Sequence, residues 1–276
     1  MRTENGLRGR NRGGTTSGTR EWADHNVNCI RGCYNDCRYC YARIMAVRFG
    51  RARWQTWSRM KVRDDVLNGP MKRFRGRVMF PSSHDIVDMP PFKEACMVVL
   101  GMLLSNGNQV LITTKPRINV IKEIDRRYHS LKSLMQFRFT ITSIHDETLA
   151  FWEPNAPEFG ERLRSLRYAF RKGYKTSVSV EPFLDYDPTE LIERVSPLVT
   201  ESIWIGRMNY IRKTGLSRME KRRYEEIRKN YETGHLAEVC QRLRAHPLVR
   251  FKDSVRIQLR SSTLKKGTIP TTTHVH

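Results

Sequence analysis

Four of the six cysteines fall between positions 29 and 40, and three of them form the run Cys33-Tyr34-Asn35-Asp36-Cys37-Arg38-Tyr39-Cys40. Three thiolates at Cys-x3-Cys-x2-Cys spacing can hold three irons of a cubane iron–sulfur cluster and leave the fourth iron without a protein ligand. An open iron can take a small chelating molecule, so the pattern points to chemistry as well as electron storage. Adding Cys29 gives four thiols, enough for a tetrahedral zinc site. Zinc modules usually pair their ligands as Cys-x2-Cys knuckles, and only Cys37 and Cys40 have that spacing. A disulfide framework fits less well still. Six cysteines in 276 residues is sparse, no apolar leader segment opens the chain, and this length needs no staples. Cys29 reads as a strand-end residue, and Cys96 and Cys240 read as buried thiols in helix-like apolar patterns. A reducing compartment and an oxygen-sensitive cofactor follow.

The elements that must position these thiols are legible as an alternation. From Glu21 onward, short apolar runs alternate with amphipathic stretches, the signature of repeated βα units. Strands are expected over 27–30, 77–80, 109–113, 137–142, 175–180 and 202–205, with helices over 41–49, 91–105, 118–128, 161–172 and 188–198. Pro91 and Pro188 sit at first-turn positions, where a missing N–H costs nothing. Six βα units are too few for a closed eight-stranded barrel and suit an open, partial one. Polar residues stand just past each expected strand: the cysteine loop, then Ser82-Ser83-His84-Asp85, Thr113-Thr114-Lys115, Thr142-Ser143 and Glu181. The C-terminal strand ends of a βα barrel converge on one mouth, so these groups are expected to share a site. Singly, Lys115 before Pro116 also reads as a surface turn residue, and Glu181 before Pro182 as an ordinary strand-end carboxylate.

Three parts are expected: a basic, disordered tail over 1–20, a core over 21–210 and a C-terminal extension over 211–276. In the extension, charged helices are expected over 217–233 and 236–245, a late strand over 249–259, and a loose end beyond 261. The extension reads either as a substrate-facing cover or nucleic-acid arm, or as a cap over the barrel bottom.

Fifty Lys and Arg against 28 Asp and Glu leave a formal net charge of +22. Such an excess favours a polyanion, because each neutralised phosphate releases a condensed counterion. One basic stretch also carries aromatics: Arg51, Arg53, Trp54, Trp57, Arg59 and Lys61 combine stacking faces with phosphate clamps. The two tryptophans also fit one buried helix face, at i and i+3. A membrane partner is not expected, since no long apolar span exists and no basic stretch has a clean apolar face opposite it.

The cysteine spacing, with Tyr39 just before the last cysteine, resembles the signature of the radical S-adenosylmethionine (SAM) superfamily. The resemblance implies a partial (β/α)6 TIM-like barrel with a basic helical C-terminal extension. It also implies a [4Fe-4S] cluster on Cys33, Cys37 and Cys40, with SAM chelating the open iron. On that footing Lys115 neutralises the SAM carboxylate, Ser83 and Thr142 are hydrogen-bond partners, Glu181 accepts from the ribose hydroxyls and Tyr39 borders the adenine.

A closer resemblance extends over most of residues 28 to 210. Asn28-Cys29-Ile30-Arg31-Gly32-Cys33, Tyr39-Cys40-Tyr41-Ala42-Arg43, Thr113-Thr114-Lys115 and Glu153-Pro154 followed by Glu161-Arg162-Leu163 are similar to the spore photoproduct lyase-like group. That group implies a 5′-deoxyadenosyl radical and a thymine-derived substrate in DNA. One position departs from the pattern. Where the lyases carry a cysteine that returns a hydrogen atom to the product, Pro81-Ser82-Ser83-His84-Asp85-Ile86-Val87 places Ser82. Its O–H bond is much stronger than a thiol S–H, which leaves Cys96 or a tyrosine such as Tyr210 as other donors. The expectation is therefore a radical SAM enzyme, an isomerase or lyase, that modifies a thymine or hypermodified thymine in DNA, in a viral hypermodification pathway. The alternatives are a lyase-like repair enzyme, an RNA-modifying radical enzyme, and a non-enzymatic nucleic-acid-binding protein with a structural metal. The expected partners are nucleic acid, DNA before RNA, and an electron donor such as flavodoxin or ferredoxin. The expected location is the cytoplasm, that of the host for a viral chain.

Overall fold

The computed structural model describes residues 18–266. Strand β1 (His25–Asn26) is followed by β2 (Ile30–Arg31), helix α1 (Tyr41–Arg48), β3 (Lys61–Val62) and a short α2 (Asp64–Leu67). Regular alternation then begins with β4 (Arg77–Phe80), α3 (Phe92–Ser105), β5 (Gln109–Thr114), α4 (Ile118–Tyr128) and β6 (Met135–Thr140). Two helices, α5 (Asp146–Trp152) and α6 (Phe159–Arg171), lead to β7 (Lys175–Val180), α7 (Thr189–Val195) and β8 (Ser202–Ile205). The chain continues through α8 (Arg218–Asn230), α9 (Thr233–Leu243), β9 (Val249–Phe251) and α10 (Asp253–Lys266).

Seven strands form one parallel sheet in the order β1-β4-β5-β6-β7-β8-β9, while β2 and β3 make a separate antiparallel ribbon. The central strands are buried on both faces, as a helix-covered parallel sheet requires. Helix α3 buries Cys96, Met97, Val99, Leu100, Leu103 and Leu104 against that sheet, and α4 buries Val120, Ile121 and Ile124. Between these helices Gly101 is needed for close approach: a Cβ there would stand 2.8 Å from the Tyr128 hydroxyl.

Several expectations are corrected. The strand expected over 27–30 is two short pieces, because the chain leaves the sheet after Asn26 and pairs Ile30 with Val62 in the ribbon. The late strand makes the seventh member of the sheet. Val249–Phe251 joins beside β8, and the rest of the expected 249–259 strand is helix, since Asp253 opens α10. That helix runs through Lys266, where a loose end was expected. Helix α5 is an addition. Of the expected disordered tail, Gly18–Glu21 is a 3₁₀ turn, and residues 1–17 lie outside the described residues. Both edges of the sheet are tied together. Lys252, just past β9, places its ammonium 2.8 Å from Gly18 O and 2.9 Å from Glu21 Oε1, both ahead of β1.

Candidate active site

The cysteine loop is shaped by its backbone. Gly32 takes φ +83°, and a Cβ there would lie 2.4 Å from Trp57 O, so only glycine fits. Cys33 N then donates to that carbonyl at 3.0 Å. Asp36, between the first two cysteines of the motif, also adopts a left-handed conformation, φ 50°, which Asp tolerates better than most residues. Arg38 straps the loop to α5, its N–H and Nε donating to Trp152 O and Phe151 O at 2.9 and 2.7 Å. Cys40 caps α1, its sulfur accepting from Arg43 N at 3.4 Å. Cys33 and Cys37 are buried and Cys40 is half-buried.

Cys29 is placed elsewhere. Its sulfur lies 3.6 Å from Cys96 Sγ and 4.0 Å from His84 Nε2, beneath the loop after β4. Among the described residues no three His, Cys, Asp or Glu side chains converge on a single metal ion.

The strand ends bring a compact charged group to the same mouth. Lys115, after β5, is buried with Nζ 3.8 Å from Asp85 Oδ2 and 4.0 Å from Glu153 Oε1, and 5.7 Å from the centroid of the Tyr39 ring. Those distances exceed direct hydrogen bonds, so neither carboxylate uses up the ammonium donors. Asp85 accepts from Thr114 Oγ1 at 2.9 Å, Lys115 N at 2.5 Å and Asn35 Nδ2 at 2.8 Å, and Cys33 Sγ stands 3.9 Å away. Glu153 accepts from the Tyr39 hydroxyl, from Thr142 Oγ1 at 2.8 Å and from the fully buried Arg162.

Electrostatics binds these groups into one cluster. Burial opposes the Lys115 charge, but Cys37, Glu153 and Asp85 outweigh it and hold the lysine above its ordinary value. Burial likewise pushes the Glu153 carboxyl up, yet Arg162 and Lys115 bring it below the usual range. Asp85 behaves in the same way, with Lys115 as the main opposing charge. Burial, then Asp85 and Cys40, push the Cys33 thiol up to about 12. Burial also raises Cys37 and Cys40. Lys115 and both carboxylates stay charged, and a metal would take up the three sulfurs as thiolates.

The other expected residues are distributed around this centre. Thr142 is buried and directed at Glu153. Ser83 N is held by Asn28 Oδ1 at 2.9 Å, which also accepts from Ser82 N at 2.7 Å. Glu181 lies 3.7 Å from Lys252 Nζ and is packed against Gly206, where a Cβ would come within 2.6 Å of its Cγ. Asp85 was expected at the shared mouth only as one of the groups after its strand, and Asn35, Glu153 and Arg162 did not emerge as site residues from the sequence. Glu153-Pro154 and Glu161-Arg162-Leu163 were the available signal: Glu161 accepts from the first amide of α4 at 3.1 Å while Arg162 pairs with Glu153.

No protein-family model matches the chain. It is 28% identical over 185 residues to an uncharacterized protein of Acidianus two-tailed virus, covering 63% of this chain and 59% of the relative. An uncharacterized protein of Methanocaldococcus jannaschii is 22% identical over 167 residues, 59% of this chain and 61% of that protein. The chain thus spans about three fifths of the length of these curated relatives. Among solved structures, spore photoproduct lyase complexed with dinucleoside spore photoproduct superposes with a TM-score of 0.52 at 15% identity, over 83% of this chain and 76% of that one. A mutant of the same enzyme with bound AdoMet and the dinucleoside gives 0.53, at the same identity and over the same shares. The chain has the spore photoproduct lyase fold.

On this fold the basic stretch divides. Arg51, Arg53, Arg59 and Lys61 are exposed and Trp54 is half-buried. Trp57 is corrected from a stacking residue to a core one: it is 5% exposed and packs on Cys33 and Ala42 beneath the cysteine loop. The 3₁₀ turn Trp54–Thr56 separates the two indoles, leaving one outside and one inside. Among the described residues no helix is long and apolar enough to cross a membrane.

Proposed function

We propose that the chain is a radical SAM enzyme acting on a base of DNA, a thymine or modified thymine. One observation carries the reading: three thiols of a single loop share a mouth with a buried ammonium poised between two carboxylates. The donor set fits a site-differentiated cubane, with three sulfurs on the loop and the fourth, Cys29, turned toward Cys96. When bound, the [4Fe-4S] cluster and SAM, with an electron from a flavodoxin- or ferredoxin-type donor, supply a 5′-deoxyadenosyl radical that abstracts hydrogen.

The chain's own residues bind and orient. Cys33, Cys37 and Cys40 hold the metal corners. Lys115 offers its ammonium to a carboxylate, and Asp85 and Glu153 accept from an amino group. Tyr39, tethered at its hydroxyl by Glu153, presents its ring as a wall for the adenine, and Thr142 acts through Glu153. Ser83 and Glu181 serve as hydrogen-bond partners, Glu181 toward a ribose diol.

Ser82 favours modification or redox-neutral isomerisation over the lyase route. Its hydroxyl accepts from Asn28 Nδ2 at 2.9 Å and is a poor hydrogen-atom donor. A place in viral DNA hypermodification is part of this proposal; one relative is an uncharacterized viral protein and another an uncharacterized archaeal one. Extraction of the base from its stack costs a few kcal/mol, which exposed cations and aromatics offset.

Anaerobic reconstitution with iron, sulfide and SAM tests the reading. A brown protein that releases 5′-deoxyadenosine when reduced is expected, with an altered thymidine in nucleoside mass spectra of treated DNA. A colourless, zinc-loaded protein with no such product would overturn it. Alteration confined to tRNA would overturn the DNA assignment.

A further inference from the structure

The loop that leaves β8 builds a cavity beside α1. It measures about 460 Å³ and is lined by Ile44, Trp54, Asn209, Tyr210, Ile211 and Arg212. Ile44 stands in the first turn of α1, its amide bonded to Cys40 O at 3.2 Å, and the 206–212 segment follows the C-terminal end of β8. The cavity therefore adjoins the cysteine mouth. A second cavity of about 200 Å³ shares Trp54 and Arg212 with it and adds Asp36, Arg38 and Arg43.

The lining has a specific chemistry. Two flat aromatic side chains, Trp54 and Tyr210, accompany two isoleucines, one amide and one guanidinium. Tyr210 is 43% exposed, so its ring is open to a ligand. Among the described residues, neither its hydroxyl nor the Asn209 amide has a hydrogen-bond partner. The loop itself is anchored: Met208 is 1% exposed, and Arg207 Nε donates to Ser254 O at 3.0 Å.

Charge completes the pattern. Arg43 lies 4.6 Å from the Trp54 ring centroid and lines only the smaller cavity, while Arg212 lies 5.8 Å from the ring and lines both. Arg38 is matched by Glu220 and Arg43 by Asp36, while among the described residues Arg212 closes no ion pair within 4.0 Å and shares the field of Glu220 with Arg38. The Arg212 Nη2 donates to Gly215 O at 2.9 Å, and the guanidinium also lies beside the Tyr224 hydroxyl. Aromatic faces beside a guanidinium suit a base with its phosphate, and the volume lies within the range of small-ligand pockets.

We propose that the larger cavity receives a nucleobase of single-stranded or locally opened DNA, with Trp54 and Tyr210 as stacking walls, Asn209 at the base edge and Arg212 at the adjoining phosphate. The inference rests on the DNA reading above and locates its binding site.

The test is fluorescence anisotropy with the full reconstituted chain and two probes of equal length, oligo(dT) and an abasic deoxyribose-phosphate homopolymer. Tyr210→Ala is expected to weaken oligo(dT) binding about 5- to 100-fold, the range for one lost stacking contact. It is expected to leave the abasic probe unaffected, while Tyr210→Phe binds like the parent. Asn209→Ala is expected to lower the preference for oligo(dT) over the abasic probe. Parent-like affinity of Tyr210→Ala for oligo(dT), or equal losses on both probes, would overturn the cavity assignment and leave the DNA reading standing. A parent chain that binds neither probe would remove that reading and this one together. Tighter binding of oligo(U) than oligo(dT) would assign the cavity to RNA and overturn the proposal.

Discussion

Arg162 and Glu153 form an ion pair in which neither side chain is exposed. Arg162 also donates to Pro157 O at 2.7 Å, and Glu153 holds both Tyr39 and Thr142, so the pair joins α6 to the mouth of the barrel. Removing one member leaves the other charged and buried. Arg162→Met is therefore expected to lower unfolding stability by about 3–5 kcal/mol in urea titrations. A loss below about 1 kcal/mol, the scale of an exposed pair, would contradict this account.

Lys115 carries the expected carboxylate contact to SAM. Lys115→Ala is expected to weaken SAM binding on the order of 10- to 100-fold in equilibrium dialysis, the scale of a lost charge-assisted hydrogen bond. Lys115→Arg keeps the charge and is expected to recover part of the affinity. Unchanged binding in Lys115→Ala, with the fold intact by circular dichroism, rules the contact out.

The two classes of thiol near the N-terminus separate by iron content. Cys37→Ala is expected to lose the cluster's visible absorbance and deoxyadenosine formation. Cys29→Ala, whose sulfur faces Cys96 and His84, is expected to keep both. Equal loss of iron in the two variants would make Cys29 a ligand.

Asp125 governs acid stability at a distance from the mouth. Burial favours its neutral form, but hydrogen bonds from Tyr168 and His129, then Tyr174, and the Lys172 charge bring it down to about 2. Tyr168 and Tyr174 donate at 2.7 and 2.8 Å, joining α4 to α6 and to the start of β7. Because the folded value lies below the free value of about 3.9, the stabilisation is whole above about pH 4 and fades as pH falls toward 2. Asp125→Asn is expected to cost about 1–3 kcal/mol at pH 7, with the gap to the parent narrowing below pH 4. A gap that does not change with pH would exclude the carboxylate as its source.

Trp57 and Trp54 differ in burial, and substitution reads the difference. Trp57→Ala is expected to cost about 3–5 kcal/mol in thermal or urea unfolding, since a cavity opens under the cysteine loop. Trp54→Ala is expected to cost about 1 kcal/mol or less, the scale of an exposed cation–π contact.

Three strands, Arg77–Phe80, Lys175–Val180 and Ser202–Ile205, run over the residues expected for them, and Lys115 and Asp85 were legible as strand-end residues. What escaped the sequence depends on tertiary partners. Trp54 and Trp57 stand in the same basic stretch, and the 3₁₀ turn between them gives them different directions. The late strand was expected from Val249, but its end after Phe251 is set by its pairing with β8 and by Asp253 opening α10. The Glu153–Arg162 pair spans two helices that one-dimensional periodicity does not align.

The knot of charge around Lys252 has a consequence for any shortened version of this protein. A chain cut after β8 would strip that strand of its neighbour and bare a row of unpaired amides. The same cut would abandon Glu21 and Glu181 without the cation that both face. Edge-to-edge aggregation of such a fragment is the expected result, which makes the last quarter of the sequence a keystone rather than an accessory.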